Sequence, residues 1–187
     1  MSSVLVPLAK GFEEIEAVSI IDVLRRAEIH VVVASLDDEA LVEGANGITI
    51  ETDAYMRDIN SDAFEMIVLP GGWDGTYALA EDANVQKMLK EMDAKGKNIA
   101  AICAAPFALH KAGVLKEKYT CYPSVENEIA QEGYMGDSAM VVESANVLTS
   151  RGPGTSICFA LEIVKKLKGE ESYEALKAGL LAHYCKA

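Results

Sequence analysis

The sequence predicts an α/β protein with a mostly parallel, doubly wound sheet that helices cover on both faces. Short apolar runs alternate with segments of helical periodicity, as in repeated β-α-β units. The runs are apolar almost throughout rather than on alternate residues, which indicates strands that are buried on both faces. The predicted strands are residues 4–8, 30–35, 66–69, 99–102, 141–142 and 147–149.

Five further segments carry a helical pattern. The first, residues 13–26, has acids at its start and arginines at its end, which suits the helix dipole. Its apolar side chains recur at three-residue steps, at Ile15, Val18, Ile21 and Leu24. The other predicted helices are residues 85–95, 104–112, 155–167 and 172–182. The stretch 41–55 is more polar, contains Gly44 and Gly47, and predicts a small β excursion or edge hairpin.

Bulk properties narrow the class of protein. The 187 residues contain no linker, low-complexity tract or repeat, so we expect one domain over residues 1–187. A net charge of −12 without a basic patch argues against nucleic acid as a partner. The start lacks the features of a signal peptide and no apolar run is long enough to span a bilayer, so we expect a cytoplasmic protein without membrane contact.

The four cysteines lie at positions 103, 121, 158 and 185. Their spacing contains no CxxC pair and no paired pattern of metal ligands, so no metal site is predicted. In a reducing compartment free thiols are more common than disulfides, and we therefore expect free thiols. For Cys121, Cys158 and Cys185 a packing role or an incidental thiol is the favoured interpretation.

Functional groups in such a fold gather at the carboxyl ends of the strands. The strand that ends at Ile102 runs into Cys103 and a helix, with small residues on either side, as a tight nucleophile turn requires. A thiol near a helix N-terminus has a lowered pKa, and its thiolate is a nucleophile. A buried, inert cysteine is the alternative that this segment alone leaves open.

Three other positions fit chemistry at Cys103. Backbone N–H groups of Gly72 and Ala104 could stabilise an oxyanion, although Pro70-Gly71-Gly72 by itself is as consistent with a simple turn. Glu16 falls between Ile15 and Ala17 and is expected to point inward as a proton donor or acceptor. No histidine is obviously placed for a Cys-His dyad, which argues against a protease or an amidotransferase.

Four segments in order resemble the DJ-1 family within the DJ-1/PfpI (ThiJ/PfpI) superfamily. They are residues 4–11 with Glu13-Glu14-Ile15-Glu16, residues 68–72, residues 100–106 and residues 148–155. The resemblance implies a flavodoxin-like three-layer α/β/α sandwich and a homodimer, for which the helix face along Ile15, Val18 and Ile21 is a candidate interface. It implies no cofactor.

The resemblance also assigns roles to residues. Cys103 would be the elbow nucleophile, Glu16 the protonated acid that hydrogen-bonds it, and Gly72 and Ala104 the amide donors of the anion pocket. Gly71, Tyr122 and Arg151 would be further neighbours of that pocket. Some relatives have a histidine where this chain has Tyr122, which is a poor base. PfpI-type proteases have a histidine where this chain has Ala104, which argues against proteolysis.

Two functions follow from the resemblance, and a third possibility is an inactive scaffold. The first is a glutathione-independent glyoxalase or deglycase that acts on a small aldehyde such as methylglyoxal. The second is a redox-sensing, stress-protective protein or chaperone in which Cys103 is oxidised to sulfinate, with little catalysis.

Overall fold

The computed structural model describes residues 2–186. Its strands are β1 (Ser3–Leu8), β2 (His30–Ser35), β3 (Leu41–Glu43), β4 (Thr49–Glu51), β5 (Ala54–Tyr55), β6 (Met66–Leu69), β7 (Asn98–Ile102), β8 (Val141–Ser144) and β9 (Val147–Ser150). Its helices are α1 (Glu14–Arg26), α2 (Trp73–Glu81), α3 (Ala83–Ala94), α4 (Pro106–Ala112), α5 (Val125–Ile129), α6 (Ser156–Lys168) and α7 (Glu170–Gly179). Within residues 2–186, none of these helices is long and apolar enough to cross a membrane.

The main sheet over residues 2–186 has seven strands in the order β5-β2-β1-β6-β7-β9-β8. All neighbouring strands are parallel except β8, which pairs antiparallel with β9 at one edge. The predicted α/β class with a mostly parallel sheet is confirmed. The predicted β excursion at 41–55 is also present, because β3 and β4 form a separate antiparallel hairpin. This topology brings the carboxyl ends of β1, β6, β7 and β9 to one edge.

Two layers of helices bury the two faces of the sheet. Helix α1 packs against α6 and α6 against α7 on one face, and α2, α3 and α4 pack together on the other. The buried face of α1 consists of Ala17, Ile20, Val23 and Leu24. Ile15 and Val18 are 57% and 47% exposed. Of the three-residue apolar steps, Ile15 and Val18 therefore lie on an outer face of this helix, whereas Leu24 belongs to its core face.

The largest differences from the predicted elements concern three helices. Helices α2 and α5 were not predicted, and α7 begins and ends earlier than residues 172–182. Helix α2 opens with Trp73-Asp74-Gly75-Thr76, and glycine has low helix propensity. Tertiary packing supplies what local propensity lacks, since Gly75, Thr76 and Leu79 of α2 are buried.

The expectation of free thiols at Cys158 and Cys185 is wrong. Cys158 on α6 and Cys185, which follows α7, form a disulfide with a Cα–Cα distance of 5.2 Å. The bridge arises because α6 and α7 pack together and bring the segment after α7 back to the first turn of α6. Both cysteines are buried in the core on that face of the sheet. Cys103 and Cys121 are the free cysteines of the described chain.

Candidate active site at Cys103

Cys103 lies at a sharp turn between β7 and α4. Its backbone has φ of +63°, a left-handed conformation that is costly for a residue with a side chain. The turn is held on both sides, since the Cys103 N–H donates to Ser150 O at 3.0 Å and the Ala105 N–H to Ile102 O at 3.0 Å. The side chain is 8% exposed. The tight strand-to-helix turn expected from the small neighbouring residues is therefore present.

Two backbone N–H groups face the Cys103 sulfur. They belong to Gly72, at the start of α2, and to Ala104, the next residue in the chain. Gly72 has φ of +89°, and a Cβ there would overlap the carbonyl oxygen of Gly11 and lie 2.8 Å from the nitrogen of Glu13. Only glycine fits this backbone, which aims one of the two donors at the thiol.

Glu16 reaches the same point from the first turn of α1. The residue is completely buried, and its Oε2 accepts a hydrogen bond from the Gly71 N–H at 2.7 Å. Its Oε1 is buried without a hydrogen-bond partner in the described chain. The Cys103 thiol lies beside the carboxyl group, close enough to act on its pKa. The inward orientation expected for Glu16 is what the structure has.

Gly71 separates the two side chains without displacing either. A Cβ on Gly71 would lie 2.6 Å from Cys103 Cβ and 2.7 Å from Glu16 Oε2. Such distances are far inside van der Waals contact, so a side chain at this position would push the acid and the thiol apart. The expected pocket neighbour Gly71 thus both donates to Glu16 and leaves room for its contact with Cys103.

Burial dominates the proton affinities of this pair. It raises the pKa of Glu16 to about 7, against the lowering effect of the Gly71 N–H. Burial also raises the pKa of the Cys103 thiol, and the negative charge of an ionised Glu16 raises it further. The N–H groups of Gly72 and Ala104 act in the opposite direction. The expected lowered thiol pKa is therefore wrong, because burial opposes ionisation of the thiol and an ionised Glu16 would place a second negative charge in the same site.

Tyr122 and Arg151 lie next to this centre in different ways. The Tyr122 N–H donates to Cys103 O at 2.8 Å, and its half-exposed ring packs against Gly152. The Arg151 side chain hydrogen-bonds Tyr134, and its Nε is buried without a partner in residues 2–186. Cys121 is fully buried beside this arginine, and burial raises the pKa of its thiol to about 12.

Glu14 has a role that the sequence did not indicate. Its acidic position suited the helix dipole, yet the side chain is buried and accepts hydrogen bonds from the Asn46 N–H at 2.5 Å and Asn46 Nδ2 at 2.8 Å. Although burial opposes it, these bonds lower the pKa of Glu14. Glu14 therefore anchors the β3–β4 hairpin. A signal for this contact is absent from the local sequence, because the partners are more than 30 residues apart.

The structure adds neither a histidine nor a metal site to the thiol in residues 2–186. His110 Nδ1 is 3.3 Å from Gln131 Oε1, and no histidine hydrogen-bonds Cys103 within the described chain. Residues 2–186 contain no group of three or more His, Cys, Asp or Glu side chains arranged to hold a metal ion. The site consequently consists of a thiol, one buried carboxyl group and backbone N–H donors.

Comparison with known proteins places this geometry in a family. The model of the DJ-1/PfpI family matches residues 2–166. Protein dj-1beta from Drosophila melanogaster is 42% identical over 183 residues, which cover 97% of this chain and 98% of that protein. Glutathione-independent glyoxalase DJR-1.2 from Caenorhabditis elegans is 38% identical over 164 residues, 88% of this chain and 87% of that protein.

Solved structures of DJ-1 proteins have the same fold as this chain. The crystal structure of Drosophila melanogaster DJ-1beta has a TM-score of 0.92 and 42% identity, and covers 97% of this chain and 98% of that chain. Toxoplasma gondii DJ-1 in an oxidized form has a TM-score of 0.90 and 38% identity, with coverage of 97% and 98%.

Proposed function

This chain belongs to the DJ-1/PfpI family, and we propose that it converts small 2-oxoaldehydes into 2-hydroxy acids at Cys103 without glutathione, cofactor or metal. The observation that carries the proposal is the buried Glu16 carboxyl group beside the Cys103 thiol. The backbone N–H groups of Gly72 and Ala104 face the same sulfur. A related protein, DJR-1.2, is a glutathione-independent glyoxalase. The same site would also suit the related deglycase reaction on adducts of these aldehydes.

The reaction begins with one proton shared by the pair. With a pKa of about 7, Glu16 holds a proton in much of the population at neutral pH. A neutral Glu16 removes the charge that opposes ionisation of the thiol and donates to the sulfur, so the thiolate becomes accessible. The thiolate adds to the aldehyde carbon and forms a hemithioacetal, and the Glu16 proton passes to the new alkoxide. The Gly72 and Ala104 N–H groups stabilise that oxygen before the proton arrives.

The second stage moves one proton between two carbons. Glu16, now a carboxylate, removes the proton from the carbon that carries sulfur and returns it to the neighbouring carbon. The hydroxyl proton passes from the first carbon's oxygen to the former ketone oxygen. The hemithioacetal thus becomes a thioester of the 2-hydroxy acid with no net oxidation. Water then cleaves the thioester, which releases the acid and restores the thiolate and the neutral Glu16. The whole reaction adds one water to the 2-oxoaldehyde.

The test is methylglyoxal consumption without glutathione by the wild type, Cys103→Ser and Glu16→Gln. We expect a loss of at least about 100-fold for each variant, since removal of an acid-base group costs 10²–10⁴-fold. Cys121→Ser is the matched thiol control, because Cys121 is fully buried and should leave turnover unchanged. Equal turnover by the wild type and Cys103→Ser would refute Cys103 as the nucleophile, and equal turnover by Glu16→Gln would refute the proton shuttle.

A redox-sensing role is the second candidate. It is supported by the solved oxidized form of Toxoplasma gondii DJ-1 and by the burial of the two free cysteines, since Cys103 keeps 8% exposure whereas Cys121 has none. In this role mild peroxide would oxidise Cys103 to the sulfinate before any other cysteine. Mass spectrometry of peroxide-treated protein tests the order. Earlier oxidation of Cys121 would contradict it.

We also propose a homodimer through the outer face of α1 and the adjacent hairpin. Ile15 and Val18 of α1 are exposed, as are Leu41 and Ile48 at the hairpin, so several large apolar side chains are left in water. Light scattering of the wild type and an Ile15→Glu/Val18→Glu variant tests this interface. A wild type that is monomeric at micromolar concentration would refute it.

A further inference from the structure

An aromatic surface lies beside the proposed active site. Trp73 and Tyr77, one turn apart on α2, stack with ring centroids 5.2 Å apart and an interplanar angle of 20°. Phe107 of α4 meets both rings edge-on, at 6.3 Å from Trp73 and 5.6 Å from Tyr77. Trp73 and Tyr77 are nevertheless 38% and 43% exposed. We name these three residues the aromatic platform.

The aromatic platform is adjacent in the chain to the amide donors of the anion pocket. Trp73 directly follows Gly72, whose N–H faces the Cys103 sulfur. Phe107 lies four residues after Cys103, about one helical turn, and its N–H donates to Ala104 O at 3.0 Å. One amide donor, Gly72, therefore comes directly before Trp73 in the chain, and the other, Ala104, comes three residues before Phe107. The platform therefore borders the site at which a substrate carbonyl would bond to Cys103. The substituent on that carbonyl would be near the platform.

Support beneath the rings makes the platform rigid. Phe107 is buried under Trp73 and Tyr77, and Lys111 Nζ lies 5.2 Å from the centroid of the Phe107 ring. The stack itself stabilises the orientations of Trp73 and Tyr77. A flat, preordered aromatic surface binds an aromatic group at a low entropic cost, because few side-chain torsions need to be fixed.

We propose that the aromatic platform binds the substituent of the 2-oxoaldehyde, so that the site prefers an aromatic or bulky apolar substituent to a methyl group. This inference rests on the proposed function. Phenylglyoxal is the representative substrate: its aldehyde carbon bonds to Cys103 and its phenyl ring lies against Trp73. Addition of one water gives mandelate, just as methylglyoxal gives lactate.

Kinetics with the two aldehydes test the specificity. The ratio of kcat/KM for phenylglyoxal to that for methylglyoxal is expected to exceed one in the wild type and to fall about five- to tenfold in Trp73→Ala. Trp73→Phe, which keeps a ring, should retain most of the ratio. Tyr184→Ala removes an exposed aromatic ring near the C-terminus and is the control, with an unchanged ratio. An unchanged ratio in Trp73→Ala would overturn the proposal.

A binding measurement separates failure of the platform from failure of the catalytic proposal. Trp73 is the single tryptophan of the sequence, so fluorescence excited selectively at tryptophan reports on the platform. In Cys103→Ser protein, mandelate is expected to change this fluorescence at a concentration at least about fivefold lower than lactate. Tyr77→Ala should weaken the mandelate response. If the wild type turns over neither aldehyde, this selectivity still supports the platform, and equal responses to mandelate and lactate would overturn it.

Discussion

Replacement of Glu16 by glutamine is expected to change how the stability of the fold depends on pH. Burial raises the pKa of Glu16 to about 7, compared with an ordinary value of 4.5 that applies to the unfolded chain. The native state therefore binds this proton more tightly, and its stability falls as the pH rises from 4.5 through 7. At about 1.4 kcal/mol for each pKa unit, the loss between pH 5 and pH 8 is about 2–3 kcal/mol.

The assay compares Cys103→Ser with Cys103→Ser/Glu16→Gln by urea unfolding at pH 5 and at pH 8. The serine background removes the thiol that shares the Glu16 proton, so the carboxyl group is measured alone. Glutamine cannot ionise, and the double variant should gain about 2–3 kcal/mol relative to the single variant between the two pH values. Parallel pH profiles for the two proteins would refute the argument that burial keeps Glu16 protonated.

Two further predictions concern the frame around the site. Reduction of the Cys158–Cys185 bridge should lower the free energy of unfolding by about 3.5 kcal/mol, because the closed loop spans 27 residues. Urea unfolding with and without reductant measures this, a Cys158→Ala/Cys185→Ala variant should not respond to reductant, and a wild type indifferent to reductant would contradict it. Gly72→Ala should cost about 2 kcal/mol or more, since its φ is +89° and its Cβ would overlap Gly11. A thermal scan checks this, and an unchanged Tm would show that α2 can shift freely.

Local patterns of apolar residues predicted most of the strands and helices. The apolar runs at 30–35 and 66–69 coincide with β2 and β6, because strands buried on both faces leave a continuous apolar signal. The missed helix α2 shows the limit of such patterns. Its sequence combines Trp73, Gly75 and a preceding glycine pair, and only packing against neighbouring elements makes it helical.

The sequence predicted which residues form the site but not the pKa values of Cys103 and Glu16. The small residues around Cys103 and the position of Glu16 between apolar neighbours indicated a thiol beside an inward acid. The depth of burial that raises both pKa values depends on the helices above the site, which a linear sequence does not order. The Cys158–Cys185 bridge and the Glu14–Asn46 contact are long-range in the same sense, since each joins residues 27 or more positions apart.

The anchoring of the hairpin has a consequence for variation in this protein. Glu14 holds Asn46 of the hairpin turn, and Glu16 holds the shared proton, so two residues of one helical turn serve two distant tasks. A change of loop length or rotation in the hairpin would pull on the same turn that positions the acid. Substitutions that tune acid strength can therefore lie at residues 44–48, in the hairpin that Glu14 anchors. A library confined to the pocket would miss them.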